Sequence, residues 1–523
     1  MPVDYSHFRR HAPLGALLLV LCVLAPSYWT ALHTPSTGVY HDDSVYLITA
    51  RALAEGRGYT IESTPSPMPQ TKYPILFPAL LAIVWKISPT FPSNVILFKS
   101  ISLIATLIWL SLSYLLIRRE SGNPTLAAIA IAFTAASPQV IFLSTAALSE
   151  TTFAAISTAC LLLLCHHDRI GSRTSLLGAA VLAAAAYHTR TIGFCLILAG
   201  CAALWFRGKQ RETLLFASVC AILAAPWILW QSLHRTVADP YLSQQNYYSA
   251  YNIVFSFAWL DKLRIALTNL LFIPFSVQTL FNLSWGGAIG LIALPFGIRA
   301  LFKSEFAPPV RAFLIFSGAV ILLWVWPSLR FLIPLLPLLF WAVWVAAPPR
   351  WHIPILAVSA FLIVQGIWSS HQFSATAAQS GLWYPQQTTP QDWKSFEQQL
   401  AWIRANTPSD AILQSNVDPT MFLYTGRRAI RGSHGNVHLF SYLEHEQPLG
   451  SETQFAQTLS RNHVSFLIDT PWGWFLESRF FPRLIDDLYR SNPTSLNLDY
   501  QSTDPKFRIF RLTSPQSLQP DLK

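Results

Sequence analysis

Residues 9–43, RRHAPLGALLLVLCVLAPSYWTALHTPSTGVYHDD, decide the fold class. Arg9-Arg10 precedes an apolar run from about Ala12 to Leu32, and a polar loop then leads to His41-Asp42-Asp43. A spanning helix takes about 20 apolar residues, whereas the apolar region of a signal peptide takes only about 7–15. The run therefore reads as a retained signal anchor. Its basic flank belongs in the cytoplasm, which puts the acidic pair just beyond the outer surface.

The composition of the chain agrees. Only 12% of the 523 residues are charged and 52% are hydrophobic, against about 25% charged in soluble domains. Too little charge is present to cover a water-facing surface. The 19 tryptophans suit bilayer interfaces. The net charge of +10 does not indicate nucleic acid, because most cations sit in short loops between apolar runs, where they set topology. All six cysteines lie in or beside apolar segments without zinc-site spacing, and the C-terminal part has none, so no disulfide framework is expected there.

Candidate spans lie near 12–32, 95–117, 124–142, 147–165, 174–190, 191–206, 213–230, 284–302, 310–327, 329–347 and 352–370, about eleven in all. Basic clusters follow alternate turns: Arg118-Arg119, Arg169 with Arg173, Arg207-Lys209-Arg211, Arg299-Lys303-Arg311, and Arg350. This alternation places the N-terminus in the cytoplasm and the C-terminus outside a cytoplasmic (inner) membrane. Lys72, Arg190 and Arg330 then fall at the outer face, against the bias. Pro74–Ser88 is too short to span and reads as an in-plane or re-entrant helix. Ile265–Leu283 reads as an outer juxtamembrane segment, since counting it as a span would invert the later loops. Two outer regions are long, about His33–Tyr73 and Gln231–Leu283.

Beyond Ser370 charge rises and apolar runs shorten. KSFEQQLAWIRANTPSD (394–410) predicts an amphipathic helix, AILQSN, VSFLIDT and KFRIFRL predict strands, and helices are expected near 451–462 and 476–490. The expected organisation is a polytopic α-helical membrane module, 1–370, followed by a small extracytoplasmic α/β domain, 371–523.

Five short stretches could carry chemistry. Asp42 and Asp43 begin a helix-prone segment, where an acidic pair also suits the helix dipole. Lys72, in QTKYPILFP, either snorkels toward headgroups or binds a phosphate as a point charge. Glu150 sits where the fourth span begins, after a Ser149 able to cap it. His188 and Arg190, in YHTRTIGF, mark the next outer turn. Arg330, after Trp324, Trp326 and Pro327, sits at the outer end of the tenth span. Each has a bland reading as a cap, a tether or an anchor. Together they put carboxylates and cations on one side of the membrane beside apolar walls, and ionisable groups at that depth are functional candidates by default. Such a set suits a lipid-linked phosphosugar entering from the bilayer. Cations would hold the leaving phosphate and a carboxylate would deprotonate the acceptor hydroxyl. Partial burial is expected to raise the base's pKa and improve it.

At these residues the chain resembles the membrane-embedded C-type glycosyltransferases, in the family 39-like branch that holds the lipid A aminoarabinose transferase and the protein O-mannosyltransferases. HDDSVYLITARALAEG (41–56) is similar to that family's outer-loop acidic pair and short helix. Asp42 matches the proposed general base, Asp43 replaces the usual Glu, and Tyr46 matches an aromatic position. KYPIL is similar to a Lys-Pro-Pro-Leu motif whose Lys contacts the donor phosphate, with Lys72 matching and Tyr73 replacing the first Pro. Glu150 matches an acidic position, TRTIGF (189–194) looks like a Thr-Arg-Pro-like turn, and RFLIPLLPLL (330–339) looks like an Arg-Tyr-Leu-Leu-Pro motif. ANTPSDAIL and YTGRRAI look like the extracytoplasmic domain of many bacterial members.

The resemblance implies a C-type glycosyltransferase fold, a polyprenyl-phosphate-sugar donor, inversion at the anomeric carbon, and an extracytoplasmic glycan, lipid or protein acceptor. Asp42 is the first choice for base and Asp43 the second; Lys72, Tyr73, Tyr46, Glu150, His188, Arg190 and Arg330 are the expected substrate-binding residues. No metal is assigned. A divalent metal stays open, because His41, Asp42 and Asp43 could contribute ligands, although three adjacent residues rarely face one ion. A transporter or lipid-linked sugar flippase, and a non-catalytic glycan-binding assembly protein, are the alternative readings.

Overall fold

The computed structural model describes residues 6–234, 258–324, 329–383, 393–431, 452–471, 477–491 and 494–513. Trp326, Pro327 and much of the long region after Gln231 lie outside them.

Helix α1 (Ser6–His33) carries the opening apolar run. A loop leads to α2 (Asp42–Ala54), and a short antiparallel pair, β1 (Thr60–Ile61) with β2 (Met68–Pro69), leads back to α3 (Leu76–Ile87). Twelve residues cannot cross a bilayer at 1.5 Å per residue. α3 instead packs on α2 and α4 (Val95–Ser121).

α5 (Pro124–Ala135) and α6 (Pro138–Ser144) form a broken pair bent by 75°. Pro138 lacks the N–H that would continue α5. Ser137 at the break donates to the Leu280 carbonyl at 2.7 Å, so a later helix fixes the bend. α7 (Glu150–Ile170), α8 (Arg173–Thr189), α9 (Phe194–Trp205) and α10 (Gln210–Leu233) follow as neighbours. Then come α11 (Trp259–Phe281), α12 (Gly286–Ala300), α13 (Pro308–Leu323), α14 (Leu329–Ala346) and α15 (His352–Ser380).

Among the described residues six helices are long and apolar enough to cross a membrane, or seven if the bent pair is one span. The chain is a polytopic helical membrane protein. The segment near 265–283 lies in α11, whose 23 residues have the length and composition of a span. Asn269 in it is fully buried and donates to the carbonyls of Leu322 and Trp324.

Basic side chains collect at one end of the bundle. Arg169 bonds Glu120 at 2.9 Å, Arg207 and Lys209 approach Asp168, and His167 meets Glu212 at 2.8 Å. These contacts join the C-terminal ends of α4 and α7 to the start of α10.

After α15 come α16 (Trp393–Asn406), β3 (Ile412–Ser415), α17 (Asp418–Thr425), β4 (Ala429–Ile430), α18 (Glu452–Arg461), β5 (Val464–Asp469), α19 (Glu477–Ser491), β6 (Leu496–Gln501) and β7 (Arg508–Leu512). The strands form one mixed sheet of order β4-β3-β5-β7-β6. β4, β3 and β5 are parallel, and β7 pairs antiparallel with β5 and β6. α16 covers one face through Phe396, Leu400 and Ile403, which are buried with Leu413, Ile468 and Ile509. β3, β5 and β7 meet the predicted strands. β4, of two residues, and β6, whose apolar character is diluted by Asn497, Asp499 and Gln501, do not declare themselves in the sequence.

Candidate functional site

The loop before α2 is built around one carboxylate. Asp43 accepts backbone N–H bonds from Gly38 (2.6 Å), Tyr40 (3.0 Å) and Ser44 (3.0 Å) and is 1% exposed. Gly38 adopts φ +88°, and a Cβ there would lie 2.7 Å from the Ser44 hydroxyl, so the turn requires glycine. Burial pushes Asp43 up to about 6, against the pull of its three backbone donors. Its oxygens are committed to shaping the turn.

Asp42 points the other way. Arg330 Nη1 donates to its Oδ2 at 2.7 Å, and the Tyr73 hydroxyl donates to its Oδ1 at 2.5 Å. His41 Nδ1 lies 3.8 Å from Oδ1. Burial opposes the charge on Asp42, but Arg330, His41 and Lys72 outweigh it and hold the carboxyl well below the usual range. Burial alone would raise this pKa, as expected for a base beside apolar walls, and the cations reverse the sign.

Arg330 spans two carboxylates. Its Nε and Nη2 also bond Glu150 Oε1, at 2.6 and 2.5 Å. Arg190 reaches the same oxygen at 2.8 Å. Glu150 is fully buried at the start of α7, so two guanidinium groups compensate one charge that could not stay there alone. Ser149 makes no helix cap. Its hydroxyl stands between Arg190 Nη1 (3.1 Å) and the Tyr46 hydroxyl (3.0 Å).

Lys72 lies beside Asp42 and holds its ammonium 5.1 Å from the Tyr73 ring centre. Burial pulls it below the usual lysine value, and Asp42 pulls it back. Gln70, fully buried, accepts the backbone N–H groups of Lys72 and Tyr73 and so sets the turn that presents both. Trp230 and Gln231 at the end of α10 hold the same turn by donating to the carbonyls of Gln70 and Thr71.

A cleft of about 430 Å³ opens beside these groups, lined by Tyr46, Tyr73, Pro74, Arg190, Trp324 and Phe331 among others. A second, of about 240 Å³, adjoins it and shares Arg190 and Phe331, with Arg330, Phe153 and Ser317 on its wall. The walls are aromatic and apolar, and the guanidinium groups supply the polar edge.

The structure thus gathers Asp42, Tyr46, Lys72, Tyr73, Glu150, Arg190 and Arg330, which come from five separate stretches of chain. His188 is not brought in. Its Nε2 meets the Leu223 carbonyl at 2.8 Å, at the seam of α8 and α10. Helical spacing explains the miss: His188 is in the last turn of α8, whereas Arg190 follows the helix in extended backbone and turns the opposite way. His41, Asp42 and Asp43 do not converge on one point either, since Asp43 faces its own turn.

Two contributors escape sequence reading. Lys99, in α4, is buried and donates to the carbonyl (2.6 Å) and hydroxyl (3.0 Å) of Thr34, securing the end of α1. Asp418 and Arg431, from the C-terminal sheet, pair at 3.3 Å, and the fields of both act on His41 and Lys72. No spacing in the chain signals that a residue near position 430 lies beside one near 41.

No protein-family model matches the chain, and no curated protein matches it by sequence. Solved structures do. The chain resembles ArnT from Cupriavidus metallidurans bound to undecaprenyl phosphate, with TM-score 0.57 and 14% identity over 97% of this chain and 99% of that one. The apo state of the same protein gives TM-score 0.56 at 14% identity with equal coverage. The Archaeoglobus fulgidus oligosaccharyltransferase tethered with an acceptor peptide gives TM-score 0.56 at 11% identity, over 99% of this chain and 76% of that one. Across nearly its whole length the chain has the fold of the membrane-embedded C-type glycosyltransferases.

Proposed function

We propose that this chain, folded as a C-type glycosyltransferase, moves a sugar from a polyprenyl-phosphate-linked donor to a hydroxyl of an extracytoplasmic acceptor, which is a glycolipid, polysaccharide or protein. One observation carries the reading: Asp42 sits between Arg330 and Tyr73 within the field of Lys72, and Tyr73 and Arg330 themselves line the adjoining aromatic clefts. A carboxylate for the acceptor and cations for the phosphate are therefore within one site. The similar structures, one bound to undecaprenyl phosphate and one tethered with an acceptor peptide, support the same chemistry.

In this reading the prenyl chain lies along the apolar walls and the phosphate meets Lys72 and the guanidinium edge. Asp42 takes the proton of the acceptor hydroxyl. The freed oxygen attacks the anomeric carbon from the face opposite the phosphate, with inversion. The carbon–oxygen bond to phosphate breaks, and its electron pair leaves on the phosphate, which the cations stabilise. Before the donor binds, the cations hold Asp42 as a poor base. The donor's phosphodiester monoanion would draw Lys72 and Arg330 toward itself and weaken that hold, so donor binding would raise the basicity of Asp42 as the acceptor arrives. Catalysis would need the buried Glu150 only as the anchor for Arg190 and Arg330.

The bundle end with the basic clusters would face the cytoplasm, and the end with Asp42 the opposite compartment. The full count of about eleven spans fits this with α11 left as an outer segment, if the bent pair α5–α6, α7 and α8 and the shorter helices α9, α12 and α13 also cross. A divalent metal is not needed for the steps above.

The test is turnover of a short-chain polyprenyl phosphosugar by the purified protein, read as sugar transferred or donor hydrolysed. Asp42→Asn is expected to lose turnover and keep its fold. Full activity in that variant, or movement of the donor across a bilayer without cleavage, would end the proposal.

A further inference from the structure

The loop carrying Asp42 is gripped by the C-terminal sheet as well as by the bundle. β3 and β4 run parallel, so their carboxyl ends share one edge, and α/β sheets commonly present functional groups there. From that edge α17 packs on α2. The Thr420 hydroxyl donates to the Gly38 carbonyl. It also lies 3.0 Å from Ser44 Oγ, which donates to that carbonyl at 2.5 Å. The Tyr424 hydroxyl donates to the Thr37 carbonyl at 3.0 Å. Arg428 and the Ala429 N–H reach the carbonyls of Pro65 (2.9 Å) and Ser63 (2.8 Å), on the limb that leads to Lys72.

These contacts end on the peptide groups that Asp43 organises. Gly38 gives its carbonyl to α17 and its N–H to Asp43, and Asp43 is the chain neighbour of Asp42. A shift of Thr37–Gly38 must therefore turn the start of α2. We propose that Thr420 and Tyr424 are positioning residues for transfer: the C-terminal sheet, through α17, sets the orientation of Asp42 toward Lys72 and the cleft. This rests on the reading of Asp42 as the general base. The soluble part thus completes the site and is more than a tethered acceptor-binding module. A displacement of about 1 Å can cost on the order of 10²-fold in rate, and the chain Thr420–Gly38–Asp43 has no slack to absorb one.

The experiment uses the full chain in detergent with Thr420→Val, Thr420→Ser and Tyr424→Phe. Its probe is a farnesyl phosphosugar. Thr420→Val is expected to lower kcat by about 10–100-fold with donor KM within about twofold, and Thr420→Ser to restore most of it. Tyr424→Phe is expected to lower kcat by several-fold. A second readout needs no turnover: amide hydrogen exchange over residues 37–44 should speed up by about tenfold in Thr420→Val. Parental kcat together with parental exchange in both Thr420→Val and Tyr424→Phe would overturn the inference. So would a loss of kcat that Thr420→Ser fails to restore and that matches a lowered thermal transition. If the parent cleaves no phosphosugar, the proposed function falls, and the exchange result alone decides whether α17 holds the loop.

Discussion

Arg330 Nη1 lies 2.7 Å from Asp42 Oδ2, although 288 positions separate them in the chain. The same guanidinium bonds Glu150, so one side chain ties the start of α2, the start of α7 and the start of α14 together. It therefore has two duties: it holds a buried carboxylate in place and offers positive charge at the cleft.

Removing that charge should separate the two duties. Arg330→Gln is expected to lower kcat by about 10²–10³, the usual loss for one preorganised group that stabilises developing negative charge. It should also lower the thermal transition, because Glu150 keeps only Arg190. The double variant Arg330→Gln with Glu150→Gln should recover much of the stability and none of the rate. Single-turnover kinetics and thermal unfolding measure the two effects. Recovery of rate along with stability would make Arg330 a purely structural group.

Tyr73 supplies a hydrogen bond to the charged Asp42. Such bonds contribute roughly 1.5–3 kcal/mol. Tyr73→Phe keeps the ring packed against Tyr46 and loses only the hydroxyl. The expected outcome is a fall of about 10–100-fold in kcat/KM with the fold intact. An unchanged rate would mean that the Arg330 contact alone orients the base.

In the proposed reading Lys72 binds phosphate charge. Lys72→Met should weaken binding of undecaprenyl phosphate by about tenfold or more and leave binding of the uncharged polyprenol unaltered. Equal affinity for the phosphate in parent and variant would remove Lys72 from the donor site.

Asp43 gives a pH signature. Its carboxyl is raised from 3.8 to about 6 in the fold, so the native state binds the proton more tightly than the unfolded chain does. The associated stability is fully present below pH 3.8 and is lost as pH rises through about 6. The thermal transition of the parent, compared with Asp43→Asn, should fall between these limits and level off above. A flat difference across that window would show Asp43 ionised throughout.

Gly38 tests the turn itself. Gly38→Ala must place a Cβ at φ +88° and 2.7 Å from Ser44 Oγ. A loss of about 1–3 kcal/mol is expected. Gly58 has φ +84° with open space around it, so Gly58→Ala should cost less. Equal losses, measured by thermal unfolding, would mean that the close packing of α17 on the loop is soft.

Some of the architecture was legible in the chain because it depends on local pattern. The runs that became α1, α4, α10, α14 and α15 are long and uniformly apolar, and the strands β3, β5 and β7 alternate or run apolar between turns. α11 was set apart from the spans on the charge of the later loops, and only neighbours such as the α13 carbonyls show why its buried Asn269 amide is tolerated. β4 was missed because two residues carry no period. Asp42, Lys72, Glu150, Arg190 and Arg330 drew notice as charges at the ends of apolar segments. Neighbours in sequence could not be told apart: Asp43 from Asp42, or His188 from Arg190.

The sequence by itself determined which segments need an apolar solvent and which ionisable groups stand at their ends, because hydropathy and charge are properties of single residues and short windows. The tertiary structure alone decided that Asp42 faces Arg330 while Asp43 folds back on Gly38, and that Thr420 and Tyr424 reach the loop from the far end of the chain. Those outcomes depend on distances between residues hundreds of positions apart, and only the packed chain fixes such distances.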